Sequence, residues 1–593
     1  MPDEKDLENT TSTQNTDGVD ANVLFTEFKE HSVADFFKKN RQMLGLYGKQ
    51  RTLTTIVHEL VTNSLDACEE AGILPEIEVK ISQIGEEYYE ISSRDNGPGI
   101  PEEKIGKALG KLLAGTKFHR LVQTRGQQGI GVSGIILFSQ ITTGKPTKVI
   151  SGTIKGKTVS LEISIDSKTN SPKITDKTYL EKKYRGLAIR AKFKDIQYKK
   201  GQGSVDEYLR RTAISNPHAT IVFEDPFQEV TKYERTVKSL PAIPKQVKPH
   251  PRGVTVDEVL SLARYSTARK VSSYLTLTFD RFGQTAVDNV SKLVHFDLNK
   301  DPRKLTWEEA EEIVLAIKKT KFIAPNTDNL VPIGEKFVEK SLKSIIDPEF
   351  CFVYTRKPSV YQGGYSFQIE VGLAYGGNAG RLVSIESAKV SKKKKLELEN
   401  SELETPKEVR VSEIIRYANK APLLFDAGGC VITKTVSSVD WKRYGISNFD
   451  NSPVTVFVNL VSVHIPYTSA GKSAIADEEE IITDMKLALM DVARRLGRYI
   501  IDKKKEELKK EKRKVFSKYA PEVVMALVHA TGADGNLLQR NLDRMVLEKL
   551  KMDDELDQGA SNNNHKEETF DEEDDEVDKK DKANKKNKAD EEE

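Results

Sequence analysis

Glu59, Asn63 and Asp66 recur at helical spacing in His58-Glu59-Leu60-Val61-Thr62-Asn63-Ser64-Leu65-Asp66-Ala67, so they share one face of a helix. A carboxylate and an amide one turn apart can hold a water and a divalent cation. The amide oxygen of Asn63 is hard and neutral, which suits Mg2+, and Glu59 can orient the water or take its proton. A second run, Asp95-Asn96-Gly97-Pro98-Gly99-Ile100, follows an alternating segment from Glu87 to Arg94. Asp95 stands at that strand's end, where Gly97 and Gly99 leave room for a flat ring such as adenine, whose amino group can donate to the carboxylate. A third run, Arg125-Gly126-Gln127-Gln128-Gly129-Ile130-Gly131-Val132-Ser133-Gly134, leads into the apolar stretch Val132 to Phe138. Gly126, Gly129 and Gly131 let backbone N–H groups approach phosphate oxygens at a helix N-terminus. No Lys-Ser/Thr pair follows them, which argues against a P-loop. Alone, each run has a plainer reading: a solvated helix face, a turn, a common glycine-rich loop. Their order and spacing across residues 58–136 make one nucleotide site.

Periodicity supplies the elements that must position these groups. A helix is predicted over 52–71, strands near 76–82 and 87–94, helices near 102–112 and 131–138, and strands near 147–155, 158–166 and 187–195. The class is α+β, with helices on one sheet face. Lys248-Pro249-His250-Pro251-Arg252-Gly253 is a stiff junction. Helical patterns follow at 255–263, 267–273, 287–294 and 306–319. Alternation over Val353–Pro358 and Phe367–Gly377 predicts strands, with more near 429–434 and 454–463. Ile481, Met485, Leu489, Val492, Leu496 and Tyr499 form one apolar stripe on a helix from Asp477 to about Phe516. Two shorter helices are predicted within 517–549.

A chain of 593 residues holds several domains. No apolar run approaches the about 18 residues of a membrane span, and the polar N-terminus has no signal-peptide pattern. Cys68, Cys351 and Cys430 lie far apart without metal-site spacing, as suits a reducing cytosol. Residues 551–593 carry 18 acidic and 8 basic side chains, a net of −10 against a chain total of +2, so the remaining body stands at +12. A basic body with an acidic tail is compatible with nucleic-acid contact.

Together the three runs resemble the Bergerat-type, or GHKL, ATPase superfamily of gyrase-like topoisomerases, heat-shock chaperones, sensor histidine kinases and mismatch-repair proteins. Within it the sequence is most similar to the B subunits of topoisomerase VI, the type IIB DNA topoisomerases. The similarity rests on Gly115-Thr116-Lys117-Phe118 followed by the third run, and on Ser32-Val33-Ala34-Asp35-Phe36-Phe37 with Asn40-Arg41-Gln42-Met43-Leu44-Gly45. It covers about residues 21–515.

Residues 1–20 are polar without apolar periodicity and read as a disordered N-terminus; the resemblance implies a dimerisation strap (21–47), a Bergerat-type α/β sandwich (48–245), a small helix–two-turn–helix domain (246–323) and an α/β transducer ending in a long helix (324–515). Short C-terminal helices (516–550) and a disordered charged tail (551–593) would follow. It implies ATP and Mg2+, with Asn63 as the metal ligand and Asp66, Asp95, Gly97 and Gly99 at the nucleotide. Thr116 and Lys117 would lie in a lid, where Lys117 can neutralise phosphate charge. Gly126, Gln127, Gln128, Gly129, Ile130, Gly131 and Val132 would close on the phosphates. Lys472, which ends the small-residue loop after Val463-His464-Ile465-Pro466-Tyr467, would reach the γ-phosphate and take part in catalysis with Glu59. The superfamily's late Gly-Thr pair has its counterpart in Arg185-Gly186-Leu187, where the hydroxyl is missing, so that adenine contact is not carried over.

The implied activity is passage of one duplex through a double-strand break in another, relaxing and decatenating DNA. The implied partners are the topoisomerase VI A subunit in an A2B2 heterotetramer, a second copy of this chain on ATP binding, and double-stranded DNA. Arg264, Arg269 and Lys270 suit phosphates. The cleaving tyrosine would sit on the A subunit, the location would be cytoplasmic at the nucleoid, and no membrane is involved. Other GHKL readings are a chaperone, which needs a client-binding middle segment, and a DNA clamp without turnover. A histidine kinase needs a phospho-accepting His on a dimerisation helix, but His218 and His250 sit beside prolines.

Overall fold

The computed structural model describes residues 33–114, 121–126, 130–361, 363–384, 408–469, 471–546 and 548. The chain divides into two units, Met1–Leu496 and Gly497–Glu593.

The first unit opens with helix α1 (Val33–Lys39), a 3-10 turn (Arg41–Leu44) and helix α2 (Lys49–Glu70). Eight strands then build one sheet: β1 (Glu76–Gly85), β2 (Tyr88–Asp95), β3 (Thr147–Gly152), β4 (Thr158–Asp166), β5 (Ser171–Leu180), β6 (Gly186–Lys194), β7 (Thr220–Glu224) and β8 (Val230–Tyr233). Their order is β5-β4-β3-β6-β2-β1-β7-β8. Neighbours are antiparallel except β1 and β7. In β1, Ile77, Val79 and Ile81 are buried while Glu76, Glu78 and Lys80 face solvent, so one sheet face is apolar. Helices α2, α3 (Glu102–Leu109), α4 (Gly131–Thr143) and α5 (Val205–Ser215) contribute to the cores against it. Leu53, Ile56, Val57, Leu60, Val61 and Leu65 give α2 its buried stripe.

Four short helices follow: α6 (Val256–Arg264), α7 (Val271–Thr278), α8 (Gln284–Ser291) and α9 (Trp307–Lys319). They enclose a core of their own, with Val259, Tyr274, Leu275, Ile313 and Ile317. Thr255 with Glu258 and Thr306 with Glu309 form reciprocal capping boxes that start α6 and α9.

Helix α10 (Glu335–Ile346) then packs on a second sheet of β9 (Phe350–Thr355), β10 (Ser359–Tyr361), β11 (Tyr365–Tyr375), β14 (Glu413–Ala418), β15 (Ala421–Pro422) and β16 (Val454–Ser462). A two-stranded ribbon of β12 (Arg381–Ser384) and β13 (Glu408–Val411) stands beside it in the chain. Every residue of β16 is buried, as its near-continuous apolar run requires of a central strand. Glu370 of β11 is buried too, and accepts from Ile333 N (3.0 Å), Gly334 N (2.7 Å) and Asn459 Nδ2 (2.7 Å), fastening the start of α10 to the sheet.

Three expectations need correction, and several elements have no expected counterpart. The run after Cys430 is not a strand; helix α11 (Val431–Ser437) forms there, burying Val431, Ile432, Thr435 and Val436 on a helical face. Packing overrides the strand preference of its β-branched residues. The second short helix starts at Val271 rather than near 267. Residues 517–531 form no separate helix, because α12 runs unbroken over Glu479–Thr531 with Pro521 inside it. Strands β5, β7, β8, β10, β12, β13, β14 and β15 and helices α5 and α10 lie outside the elements expected from the sequence.

Within the first unit, α12 buries Ile481, Met485, Leu489, Val492 and Leu496. In the second unit, Leu508, Val515, Phe516, Tyr519, Val523 and Met525 are exposed, and helical residues resume over 535–546. No described helix is long and apolar enough to cross a membrane. The first part of the strap, the tail, the lysine-rich insert at Lys392–Lys395, and Thr116, Lys117, Gln127, Gln128 and Gly129 lie outside the described residues.

Candidate nucleotide site

A cavity of about 760 Å³ opens between α2, the end of β2, the start of α4 and the loops after β15 and β16. Glu59 and Asn63 line it from α2, Asp95 and Gly99 from the end of β2, Gly126, Ile130, Gly131 and Val132 from the glycine run, and Lys472 from the loop after β16. These residues span more than 400 positions of sequence and meet at one place. Gly97 does not line the cavity, but its N–H donates to Asp95 Oδ1 at 2.9 Å.

Asp66 is turned elsewhere, which corrects its expected place at the nucleotide. Its carboxylate pairs with Arg125 Nη1 at 2.7 Å, and both side chains are nearly fully buried. Arg125 also binds Glu69 (2.6 Å) and donates to Asn216 Oδ1 (2.5 Å), while His218 Nε2 lies 2.8 Å from Glu69 Oε1. Asp66 shares the helix face of Glu59 but lies two turns further along α2, where it anchors Arg125, the residue directly before Gly126. Burial pushes Glu69 up, but Arg125, His218 and Lys420 more than reverse this and hold its carboxyl well below the ordinary range.

Asp95 is 4% exposed. Its Oδ1 accepts from Gly97 N and from Leu187 N (3.0 Å), and its Oδ2 accepts from Ser64 Oγ at 2.8 Å. Burial raises its pKa, against the pull of these three donors. The Leu187 contact brings the segment Arg185-Gly186-Leu187 to this carboxylate. Ser64 of α2 gives this carboxylate a side-chain hydroxyl donor, a contact that a helical serine's sequence position does not announce, since such a hydroxyl ordinarily bonds its own helix. Backbones crowd beneath this carboxylate. Gly99 lies at φ +69°, and a Cβ there would fall 2.8 Å from Gly152 C; one on Gly186 would fall 2.9 Å from Asp95 C.

Asn63 Nδ2 donates to Glu59 O at 2.6 Å, which leaves its Oδ1 as the atom that would ligate a cation. Among the described residues no three His, Cys, Asp or Glu side chains gather to hold a metal. A cation here would therefore be held by Asn63, waters and nucleotide phosphates, which is how Mg2+ ordinarily binds. His58 lines the same cavity and packs edge-on against Tyr208 with ring centroids 5.3 Å apart. Desolvation lowers its pKa; Glu59 opposes this and Lys472 adds to it, so burial favours the neutral imidazole.

A sheet covered by helices on one face, with a carboxylate–amide helix, a buried aspartate and a glycine-rich helix start around one cavity, defines a GHKL-type ATPase. Residues 48–167 match the family model described as histidine kinase-, DNA gyrase B- and HSP90-like ATPase, and residues 325–513 match that of the topoisomerase VI B subunit transducer. The B subunit of type 2 DNA topoisomerase 6 from Pyrococcus horikoshii is 42% identical over 582 residues, covering 90% of this chain and 98% of that one. Its namesake from Methanothermobacter thermautotrophicus is 44% identical over 505 residues, covering 84% and 92%. The chain belongs to the family of topoisomerase VI B subunits, the ATP-driven subunits of a type II DNA topoisomerase.

Proposed function

We propose that ATP binds in the 760 Å³ cavity with its adenine amino group on Asp95 and its phosphates between the Gly126–Gly131 backbone and Lys472. Glu59 is the general base for the attacking water, and Asn63 holds the Mg2+ that neutralises phosphate charge. The observation that carries this reading is that Glu59, Asn63, Asp95, Gly131 and Lys472 border one cavity although they come from separate regions of the chain.

On this reading residues 48–245 are the ATPase domain, 246–323 the helix–two-turn–helix domain and 324–515 the transducer. Nucleotide binding closes two copies of the chain across residues 21–47, and the clamp holds a double-stranded DNA segment. Loss of the γ-phosphate removes the partner of Lys472, so the transducer feels hydrolysis. An A subunit in an A2B2 assembly cleaves the second duplex, and the complex works at the nucleoid in the cytoplasm. The test is phosphate release by the chain with its A subunit and supercoiled DNA. Wild type should release phosphate and relax DNA, whereas Glu59→Ala should bind ATP without doing either. Turnover retained in Glu59→Ala would remove Glu59 as the base.

A further inference from the structure

Lys472 stands on a short loop whose place is fixed from outside the cavity. Thr468 N donates to Ala474 O (3.0 Å), Lys472 N to Ser469 O (3.1 Å), and Tyr467 bridges Ile475. Lys472 itself has φ +49°, a backbone conformation uncommon for a non-glycine residue that persists where the surroundings enforce it. The next residue, Ser473, is 4% exposed and gives its hydroxyl to Asp426 Oδ2. Asp426 also has a positive φ, +53°. Its two carboxylate oxygens meet the guanidinium of Arg51 in a fork, at 3.1 Å from Nη1 and 2.9 Å from Nη2. Arg51 Nη2 reaches Ser473 Oγ as well, at 3.3 Å. The guanidinium is stacked between two rings, with its carbon 4.1 Å from the centroid of Tyr47 and 4.5 Å from that of Phe425.

Arg51 lies in the first turn of α2, the helix that carries Glu59 two turns further on. Lys472 and Glu59 are therefore registered to each other through one carboxylate: Ser473 and Arg51 share Asp426, and Arg51 is part of the rigid helix. We infer that Arg51, through Asp426 and Ser473, is a positioning residue that holds Lys472 at the height above Glu59 that phosphoryl transfer needs. A fork to a carboxylate fixes direction as well as distance, which a lysine's single ammonium cannot do. A displacement of about 1 Å in such a group costs on the order of 100-fold in rate. This inference rests on the reading of Lys472 as the γ-phosphate contact.

The experiment is a double-mutant cycle on ATP turnover by the full chain with its A subunit and DNA. Lys472→Ala, Arg51→Lys and Ser473→Ala are measured alone, and each of the last two again in the Lys472→Ala background. Arg51→Lys should lower kcat about tenfold with KM for ATP changed less than about twofold, and Ser473→Ala should lower kcat about threefold. In the Lys472→Ala background neither should lower kcat by more than about 1.5-fold, because the group they position is gone. Equal losses in both backgrounds, or a change in KM instead of kcat, would overturn the inference and leave the role of Lys472 intact. Unchanged turnover in Lys472→Ala alone would overturn the γ-phosphate reading and this inference with it. Ser473→Ala removes one oxygen atom, so it decides the matter should Arg51→Lys fold poorly.

Discussion

Gly131 lies against the carboxylate of Glu59: a Cβ added to the glycine would stand 2.9 Å from Glu59 Cδ and closer still to Oε2. The start of α4 and the middle of α2 approach this closely only because one of the two positions has no side chain. On the proposed reading the glycine run then has two tasks, presenting backbone N–H groups to phosphate and leaving space for the base. Gly131→Ala should push the flexible end of Glu59 aside without disturbing either helix, since what the methyl meets is the far end of a side chain. Turnover should fall about 100-fold while the melting temperature moves little. Phosphate release and thermal unfolding, measured on the same preparation, check both halves.

Ser64 and Asp95 make a second prediction. With Gly97 N and Leu187 N occupying Oδ1, the Ser64 hydroxyl is what orients Oδ2. Ser64→Ala should weaken ATP binding about tenfold, the value of one hydrogen bond to a charged group. On the proposed reading the adenine amino group donates to the ionised form of this carboxylate. Because burial raises the Asp95 pKa, ATP affinity should decline at a higher pH than an ordinary carboxylate would dictate as the solution is acidified. Losing Ser64, one of the donors that oppose this rise, should move the decline higher still. Calorimetric titration with ATP across the acid range measures both.

The buried cluster of Arg125 with Asp66 and Glu69 predicts a stability effect. Arg125→Met leaves two buried carboxylates without their cation and should cost about 3–5 kcal/mol at pH 7. The sign with pH follows from Glu69, whose folded-state pKa is depressed below the ordinary 4.5 of a glutamate. Its contribution is fully present above that value and is lost as pH falls below it. Wild type and Arg125→Met should therefore differ widely in melting temperature at neutral pH and converge in acid.

How much of this could be read in the sequence varies with the distance over which the information lies. Helix α2, β2 and the glycine run carry motif and periodicity within a few residues, and Glu59, Asn63, Asp95 and Gly131 lie on one cavity as their types demand. Asp66 has the right spacing on the same helix, yet a buried arginine 59 positions later takes it. Strand β5 lacks a legible pattern because it is an edge strand exposed along nearly its whole length, paired with β4 alone. The Val431-Ile432-Thr433 run has strand composition, and only its packing makes it α11. Arg51 and Asp426 are 375 residues apart, and neither residue type in its local sequence announces the other.

Asn63 supplies the last prediction. Its Nδ2 is committed to Glu59 O, so the amide cannot turn freely and its Oδ1 has one direction in which to bind. On the proposed reading a cation here would depend on this one protein ligand and on the phosphates, since no cluster of three His, Cys, Asp or Glu side chains gathers among the described residues. Removing metal with EDTA should therefore abolish turnover reversibly. Asn63→Ala should raise the Mg2+ concentration for half-maximal turnover by about 10–100-fold, with the maximum partly recovered at high Mg2+. Asn63→Asp keeps an oxygen ligand but replaces the donor to Glu59 O with a negative charge one turn from the base. It should restore the Mg2+ response while leaving kcat low. A Mg2+ titration of phosphate release for the three proteins separates the two functions of the amide: equal Mg2+ dependence in wild type and Asn63→Ala would remove it as the ligand, and full kcat in Asn63→Asp would remove its bond to α2 as a requirement.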